Sequence, residues 1–161
     1  MRVSVIGGGS ITDEQATRAK ALGRELARRG HTVVCGGRGG TMEAVCRGAK
    51  AEGGQTIGIL PSSRRTEANP YVDVPIATGL GHARNALVPL NGDAVIALPG
   101  GPGTLTEIGF GAIADRPIVS LESHNTDALG LEVVTVESPT AAVDAVERAL
   151  EESVVSDSSP D

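Results

Sequence analysis

Aromatic residues are almost absent from this chain of 161 residues. Tyr71 and Phe110 are the only ones, and there is no tryptophan. A core of normal size is still possible, because 40% of the residues are hydrophobic and a domain of this length buries roughly two-thirds of its unfolded surface. The core must therefore be aliphatic, and a base-stacking platform for single-stranded nucleic acid is excluded.

Positive charge is also scarce. Lysine and arginine contribute 14 residues against 20 aspartates and glutamates, for a net charge of −6. Such a chain repels phosphate backbones and anionic membrane surfaces, so we expect neither a nucleic-acid polymer nor a membrane as a partner. No apolar run approaches the roughly 20 residues of a membrane span, and the N-terminus lacks a signal-peptide pattern.

Cysteine is limited to Cys35 and Cys46, which form no CxxC pair and have no histidine at metal-ligand spacing. We predict two buried thiols in a reducing, cytoplasmic environment. Neither a metal site nor a cofactor is predicted.

Apolar runs alternate with longer amphipathic stretches along residues 1–152. The runs VSVI, TVVC and AVIAL are continuously apolar, which is typical of parallel strands covered on both faces. Their alternation with helical stretches predicts a single α/β domain whose mostly parallel sheet has about six or seven strands. Residues 153–161 are rich in serine and aspartate and are predicted to form a disordered acidic tail.

Three glycine-rich loops, at residues 7–10, 36–40 and 100–104, each lie directly between a predicted strand and a helix. Open parallel sheets bind ligands at the carboxyl ends of their strands. Glycines let the backbone approach an anion, and the helix that follows offers free N–H donors. The loops predict a phosphorylated ligand held by Gly8, Gly9, Ser10, Gly37, Arg38, Gly39, Gly40, Thr41, Gly100, Gly101, Gly103 and Thr104.

Several common nucleotide and catalytic motifs are missing. GxGxxG fails in all three loops, and no acidic residue ends the second strand to bind a ribose, which excludes a dinucleotide site. GxxxxGK[ST] and GxSxG are absent as well, so a P-loop NTPase and an α/β-hydrolase are excluded.

Two of the loop–helix units carry an acidic residue early in the predicted helix, Glu43 and Glu107. Such an acid complements the helix dipole. A carboxylate beside a phosphate cradle is nevertheless unfavourable unless it contacts sugar hydroxyls or a reacting centre. Glu107 is therefore a candidate catalytic residue, and Arg84 is a second, because its planar guanidinium suits a phosphate or carboxylate.

The segment PGGPGTLTE, Pro99–Glu107, resembles the PGGxGTxxE motif of the LONELY GUY family. With GGRGGTMEAVCRGA, TIGILP and GHARN, the resemblance covers about residues 1–150 and is closest to a short prokaryotic branch that includes proteins similar to molybdenum cofactor carriers. It implies a Rossmann-like, three-layer fold and a homodimer or homotetramer. In the family's enzymes, a nucleoside 5′-monophosphate is hydrolysed to free base and ribose 5-phosphate.

By this resemblance, the family's motif glutamate maps onto Glu107 and its arginine onto Arg84. The chain departs from the enzymes at three positions, where Gly81 replaces a methionine, Asn85 a lysine and Thr106 an acid. Two functions therefore stay open. One is the binding of a nucleotide-like or pterin phosphate without chemistry, and the other is phosphoribohydrolase activity.

Lysine decarboxylation, a name long attached to this family, is excluded. That reaction needs a Schiff-base lysine and an electron-sink cofactor. Neither Lys20 nor Lys50 lies in a glycine loop.

Overall fold

Seven strands form one parallel sheet in the computed structural model, which describes residues 1–157. The strand order is β4-β3-β2-β1-β5-β6-β7, and every neighbouring pair is parallel. This architecture confirms the predicted α/β fold class. The strands are β1 Arg2–Ile6, β2 Thr32–Cys35, β3 Thr56–Leu60, β4 Val74–Ala77, β5 Ala94–Ala97, β6 Ile118–Leu121 and β7 Val133–Val136.

Helices connect most of the strands. They are α1 Asp13–Arg28, α2 Thr41–Ala51, α3 Leu87–Leu90, α4 Pro102–Ile113 and α5 Pro139–Asp157, with 3₁₀ turns at Arg65–Glu67, Gly81–Ala86 and Asp127–Leu129. None of the helices within residues 1–157 is long and apolar enough to cross a membrane. Helix α5 enters the segment predicted as a tail, and the last four residues of that segment, 158–161, lie outside the described residues.

Local sequence signals explain where helices begin. Thr12 caps α1 by accepting a hydrogen bond from the Gln15 N–H, and the Gln15 side chain accepts one from the Thr12 N–H in return. This reciprocal capping box satisfies two N–H groups that have no partner within the helix. Pro89 lies inside the short α3, which is preceded by a 3₁₀ turn.

Two aliphatic cores cover the two faces of the sheet. Helices α1, α2 and α5 pack on one face, where Val5 and Leu22 are fully buried. Helices α3 and α4 pack on the other, around Val88, Val95 and Ile108. The sheet is therefore the middle layer of three, and its strands are apolar on both sides.

The strand order reverses between β1 and β5. The chain moves outward from β1 through β2 to β4, and then returns to β5 on the other side of β1. The loops after β1 and β5 consequently diverge toward opposite faces and leave a crevice at the carboxyl edge, where open α/β sheets bind ligands. Register pairing of Ile6 with Ala97 brings the ends of these two strands side by side.

Candidate functional site

A cleft of about 280 Å³ opens at this reversal point. It is bounded by the loop after β1, the first turns of α4, the 3₁₀ turn before α3 and the start of α2. Its lining residues are Gly7, Gly8, Gly9, Met42, His82, Arg84, Asn85, Gly101, Gly103, Thr104 and Glu107. A larger cavity of about 780 Å³ beside Pro117 and Leu131 lies at the amino ends of β6 and β7, away from the glycine loops.

Backbone hydrogen bonds join the three glycine loops around Gly8. The Gly8 N–H donates to the Pro99 carbonyl over 2.9 Å, and the Gly8 carbonyl accepts from the Thr41 N–H over 2.9 Å. Gly40 has a positive φ of 65°, and a Cβ there would lie 2.4 Å from the Gly8 carbonyl oxygen. Glycine is thus required at residue 40 for the loops to approach one another.

The N-terminus of α4 points donors into the cleft. Its N-cap residue, Gly101, makes no side-chain capping bond, and Pro102 at the first helical position has no N–H. The N–H groups of Gly103 and Thr104 therefore lack intrahelical partners and lie at the positive end of the helix dipole. A phosphate or other anion is the natural ligand for such a terminus.

Arg84 lies beneath the cleft and is 9% exposed. Its Nη1 donates to the Gly36 carbonyl over 2.7 Å and also to the Ile59 carbonyl, so the guanidinium ties together the carboxyl ends of β2 and β3. Its Nε is buried without a hydrogen-bond partner. Burial lowers the pKa of Arg84 from its usual value, although an arginine remains protonated at any physiological pH.

Glu107, which is 8% exposed, belongs to the second turn of α4 and also lines the cleft. Burial raises the pKa of this carboxyl to about 7, and the charge of Arg84 partly opposes the effect. No hydrogen bond or ion pair to its carboxylate is formed by the residues that the structure describes. The cleft thus holds a carboxyl group poised to titrate near neutrality, a property typical of functional acids and bases.

The structure brings together part of the predicted ligand-binding set. Gly8, Gly9, Gly101, Gly103 and Thr104 line the cleft together with the two predicted catalytic residues. The other predicted residues do not line the cleft, and their ligand contacts stay predictions; they are Ser10, Gly37, Arg38, Gly39, Gly40, Thr41 and Gly100.

Arg38 has a protein partner of its own. Its Nη1 donates to Glu67 over 2.9 Å, and 47% of its side chain is exposed. The loop around it is held by Asn69, which donates hydrogen bonds to the carbonyls of Gly37 and Arg38. Most of the polar groups of this loop therefore form hydrogen bonds within the protein.

The sequence alone predicts no site role for Met42, His82 or Asn85. All three line the cleft. The strand order brings them together, because its reversal between β1 and β5 places the start of α2 opposite the turn before α3.

A family model described as the SLOG cluster4 family matches residues 1–151. The chain belongs to the SLOG cluster4 family. This confirms the resemblance to LONELY GUY proteins. An uncharacterized protein of Archaeoglobus fulgidus is 38% identical over 122 residues, which are 76% of this chain and 80% of that protein.

Curated relatives of this SLOG chain include phosphoribohydrolases. The cytokinin riboside 5′-monophosphate phosphoribohydrolase of Mycobacterium tuberculosis is 36% identical over 113 residues, 65% of this chain and 60% of that enzyme. The rice enzyme LOG is 39% identical over 94 residues, 56% of this chain and 38% of that enzyme. The chain therefore spans less than two thirds of the length of these enzymes.

Solved structures match the SLOG chain over nearly all of its length. The molybdenum cofactor binding protein of Rippkaea orientalis has a TM-score of 0.86 and 33% identity, covering 92% of this chain and 96% of that one. The molybdenum cofactor carrier protein of Chlamydomonas reinhardtii has a TM-score of 0.83 and 34% identity, covering 93% and 98%. DNA processing protein A of Helicobacter pylori, at 18% identity and a TM-score of 0.70, shares the fold alone.

Proposed function

We propose that this protein binds a small phosphorylated ligand of the nucleotide or pterin type in the cleft between β1 and β5, as a carrier of the molybdenum cofactor kind. The observation that carries the proposal is the set of donors left without partners around one cleft. These are the N–H groups that begin α4 and the buried Nε of Arg84. The full-length similarity to molybdenum cofactor carriers supports it further.

In this proposal, the phosphate rests on the N–H groups of Gly103 and Thr104. Gly9 and Gly101 border the same space, and a Cβ at either would meet no atom within 4 Å. The phosphate can therefore approach the backbone closely. The guanidinium of Arg84 donates from below, and its bonds to two carbonyls hold it in place before the ligand arrives.

Calorimetric titration with AMP, GMP and inorganic phosphate tests this assignment. Arg84→Met should weaken the binding of a nucleotide at least about tenfold, because it removes charge-assisted hydrogen bonds worth about 1.5–3 kcal/mol. Arg65→Met is the matched control, since Arg65 is exposed and outside the cleft. Equal affinity in the two variants, or no binding of any probe by the parent protein, would contradict the proposal.

A second function is favoured by one observation, the buried carboxyl of Glu107. In a phosphoribohydrolase of this geometry, the C1′–N bond breaks and its electron pair leaves with the base, which takes up a proton. The carboxylate of Glu107 stabilises the oxocarbenium-like sugar and accepts a proton from the water that adds to C1′. The products are free base and ribose 5-phosphate. The curated relatives named as phosphoribohydrolases support this alternative.

Chromatography decides between the two functions. The protein is incubated with AMP, GMP, CMP, UMP and an N6-substituted AMP, and free base and ribose 5-phosphate are measured. Release by the parent protein that falls by about a thousandfold in Glu107→Gln establishes the hydrolase, since loss of such a group costs about 10²–10⁴ in rate. Binding without release establishes the carrier.

We also propose that the chain forms a homodimer or homotetramer in the cytoplasm. Helix α4 presents apolar side chains to solvent, including Leu105, Phe110 and Ile113, the last of which is 80% exposed. A second copy of the chain would cover this face. Light scattering with size-exclusion chromatography tests it, and Ile113→Glu should lower the measured mass to that of one chain.

A further inference from the structure

Two of the positions at which this chain departs from the enzymes of its family are in contact. The Asn85 Nδ2 donates a hydrogen bond to the Thr106 Oγ1 over 3.2 Å. The Thr106 Oγ1 in turn donates to the Gly103 carbonyl over 2.6 Å. The two side chains thus meet through neutral groups, an amide and a hydroxyl.

The geometry also fixes how the two side chains are oriented. A threonine hydroxyl has one hydrogen, which here goes to the Gly103 carbonyl, so the oxygen can only accept from Asn85. The amide of Asn85 must therefore turn its nitrogen toward Thr106. Asn85 is 8% exposed, and its side-chain nitrogen lies beside Gly103, 3.4 Å from where a Cβ on that glycine would be.

The chain neighbours of this pair are the two candidate catalytic residues. Asn85 follows Arg84 on the 3₁₀ turn, and Thr106 precedes Glu107 on α4. The pair therefore joins the segment that carries the guanidinium to the first two turns of α4, which carry the phosphate-binding N–H groups and the carboxyl group. No ion pair joins Arg84 directly to Glu107 in the part of the chain described here.

We propose that Asn85 and Thr106 are a neutral pair of positioning residues that sets the separation between Arg84 and Glu107 across the cleft. This inference rests on the proposed function for its significance, because only a ligand held between the two residues depends on their separation. The pair itself does not touch the reacting atoms. It acts through the two segments that it joins.

The first test measures the titration of Glu107 without any ligand. The protein is labelled with carbon-13 glutamate, the Glu107 signal is assigned with Glu107→Gln, and its titration midpoint is followed by NMR. In Thr106→Val the second turn of α4 loses its hydrogen bond to Asn85, which should let water reach Glu107. We expect the midpoint to fall by at least about half a pH unit toward the ordinary glutamate value.

Two further variants separate positioning from a general loss of stability. Thr106→Ser keeps the hydroxyl and should keep the parent midpoint. Thr66→Val makes the same chemical change at an exposed threonine away from the cleft and should also leave it unchanged. An unshifted midpoint in a folded Thr106→Val protein, or an equal shift in Thr106→Ser, would overturn the inference.

The second test introduces opposite charges at residues 85 and 106. Asn85→Lys and Thr106→Glu are made singly and together, and thermal unfolding is measured. Each single variant places an unpaired charge beside the cleft, whereas the double variant makes an ion pair, so it should recover at least about half of the summed loss in unfolding temperature. Strictly additive losses would show that the two positions are independent and would refute the pair.

The last arm uses AMP as the probe. Thr106→Val should weaken its binding by about threefold to tenfold, whereas Thr66→Val should not, and equal affinity in both would count against positioning. If AMP fails to bind even the parent protein, the proposed function fails. The ligand-free titration and the opposite-charge variants still decide whether Asn85 and Thr106 act as a pair.

Discussion

Two loop–helix units of nearly the same composition place their acidic residues in different surroundings. The unit at 36–43 ends in Glu43, and the unit at 100–107 ends in Glu107. Glu43 lines a groove between α1 and α2, outside the cleft, whereas Glu107 is buried within it. Glu43 lies two residues after a buried threonine and Glu107 three residues after one, and a helix rotates by about 100° per residue. Spacing, more than composition, decides which acid enters the site.

The two units also differ in what their backbones do. The N–H of Thr41, which begins α2, is already bonded to Gly8, and the carbonyls of Gly36 and Gly37 accept from Arg84 and Asn69. The N-terminus of α4 has no corresponding partner. The first unit thus supports the site, while the second unit is left open toward a ligand.

The largest expected effect comes from neutralising the two acids separately. A pKa raised to about 7 means that the folded state disfavours ionised Glu107, so this carboxyl lowers stability as the pH rises from about 4.5 to about 7, and the penalty is complete above that. Glu107→Gln should therefore stabilise the protein at pH 8 by up to about 3 kcal/mol and have a much smaller effect at pH 5.

Urea unfolding at both pH values measures this difference, with Glu43→Gln as the matched variant. Because Glu43 lines an open groove, Glu43→Gln should change the free energy of unfolding by no more than about 0.5 kcal/mol at either pH. If the stability gained by Glu107→Gln did not grow with pH, the predicted difference between the two acids would be wrong.

A smaller effect is expected from adding a methyl group to each loop. A Cβ on Gly100 would lie 2.0 Å from the Thr104 Oγ1 and 2.8 Å from the Gly8 nitrogen, so Gly100→Ala must displace the Thr104 side chain and the backbone at Gly8. We expect a loss of about 1–3 kcal/mol in unfolding free energy, as is usual for overpacking.

Gly39→Ala sharpens the comparison, since the nearest atom to its Cβ would be the Gly9 carbonyl oxygen at 4.0 Å. Thermal melts of both variants should show a clear loss for the first and almost none for the second. A Gly39→Ala protein as unstable as Gly100→Ala would mean that the loop at 36–40 is packed more tightly than the structure indicates.

The smallest effect is expected at Arg38. Its ion pair with Glu67 is largely exposed, and exposed pairs contribute about 0–1 kcal/mol. Arg38→Met should therefore change the equilibrium constants for unfolding and for nucleotide binding by less than about fivefold each. A tenfold loss of affinity would instead support the ligand contact predicted for Arg38.

Local pattern was sufficient for most of the secondary structure. The predicted alternation of strands and helices agrees with the structure, because glycine or proline flanks segments such as β2, β3 and α2. The motif glutamate Glu107 lines the cleft. Its spacing from the glycines fixes the side of the helix on which it lies.

The neighbours of that glutamate were beyond local pattern. Asn85 and Met42 are separated from Glu107 by many residues, and they meet it only because β1 lies between β2 and β5. The partner of Arg38 is equally non-local, since Glu67 lies on the 3₁₀ turn after β3. A strand order is a property of the whole chain, and no window of sequence encodes it.

Gly8 links the three glycine loops, since its N–H donates to the Pro99 carbonyl and its carbonyl accepts from the Thr41 N–H. The cradle is consequently assembled when the chain folds, and little backbone entropy remains to be lost when a ligand arrives. Affinity in such a preorganised site is determined mainly by the dissociation rate of the ligand. For a carrier, this means that delivery depends on an acceptor that competes for the cargo, because no loop has to open to release it.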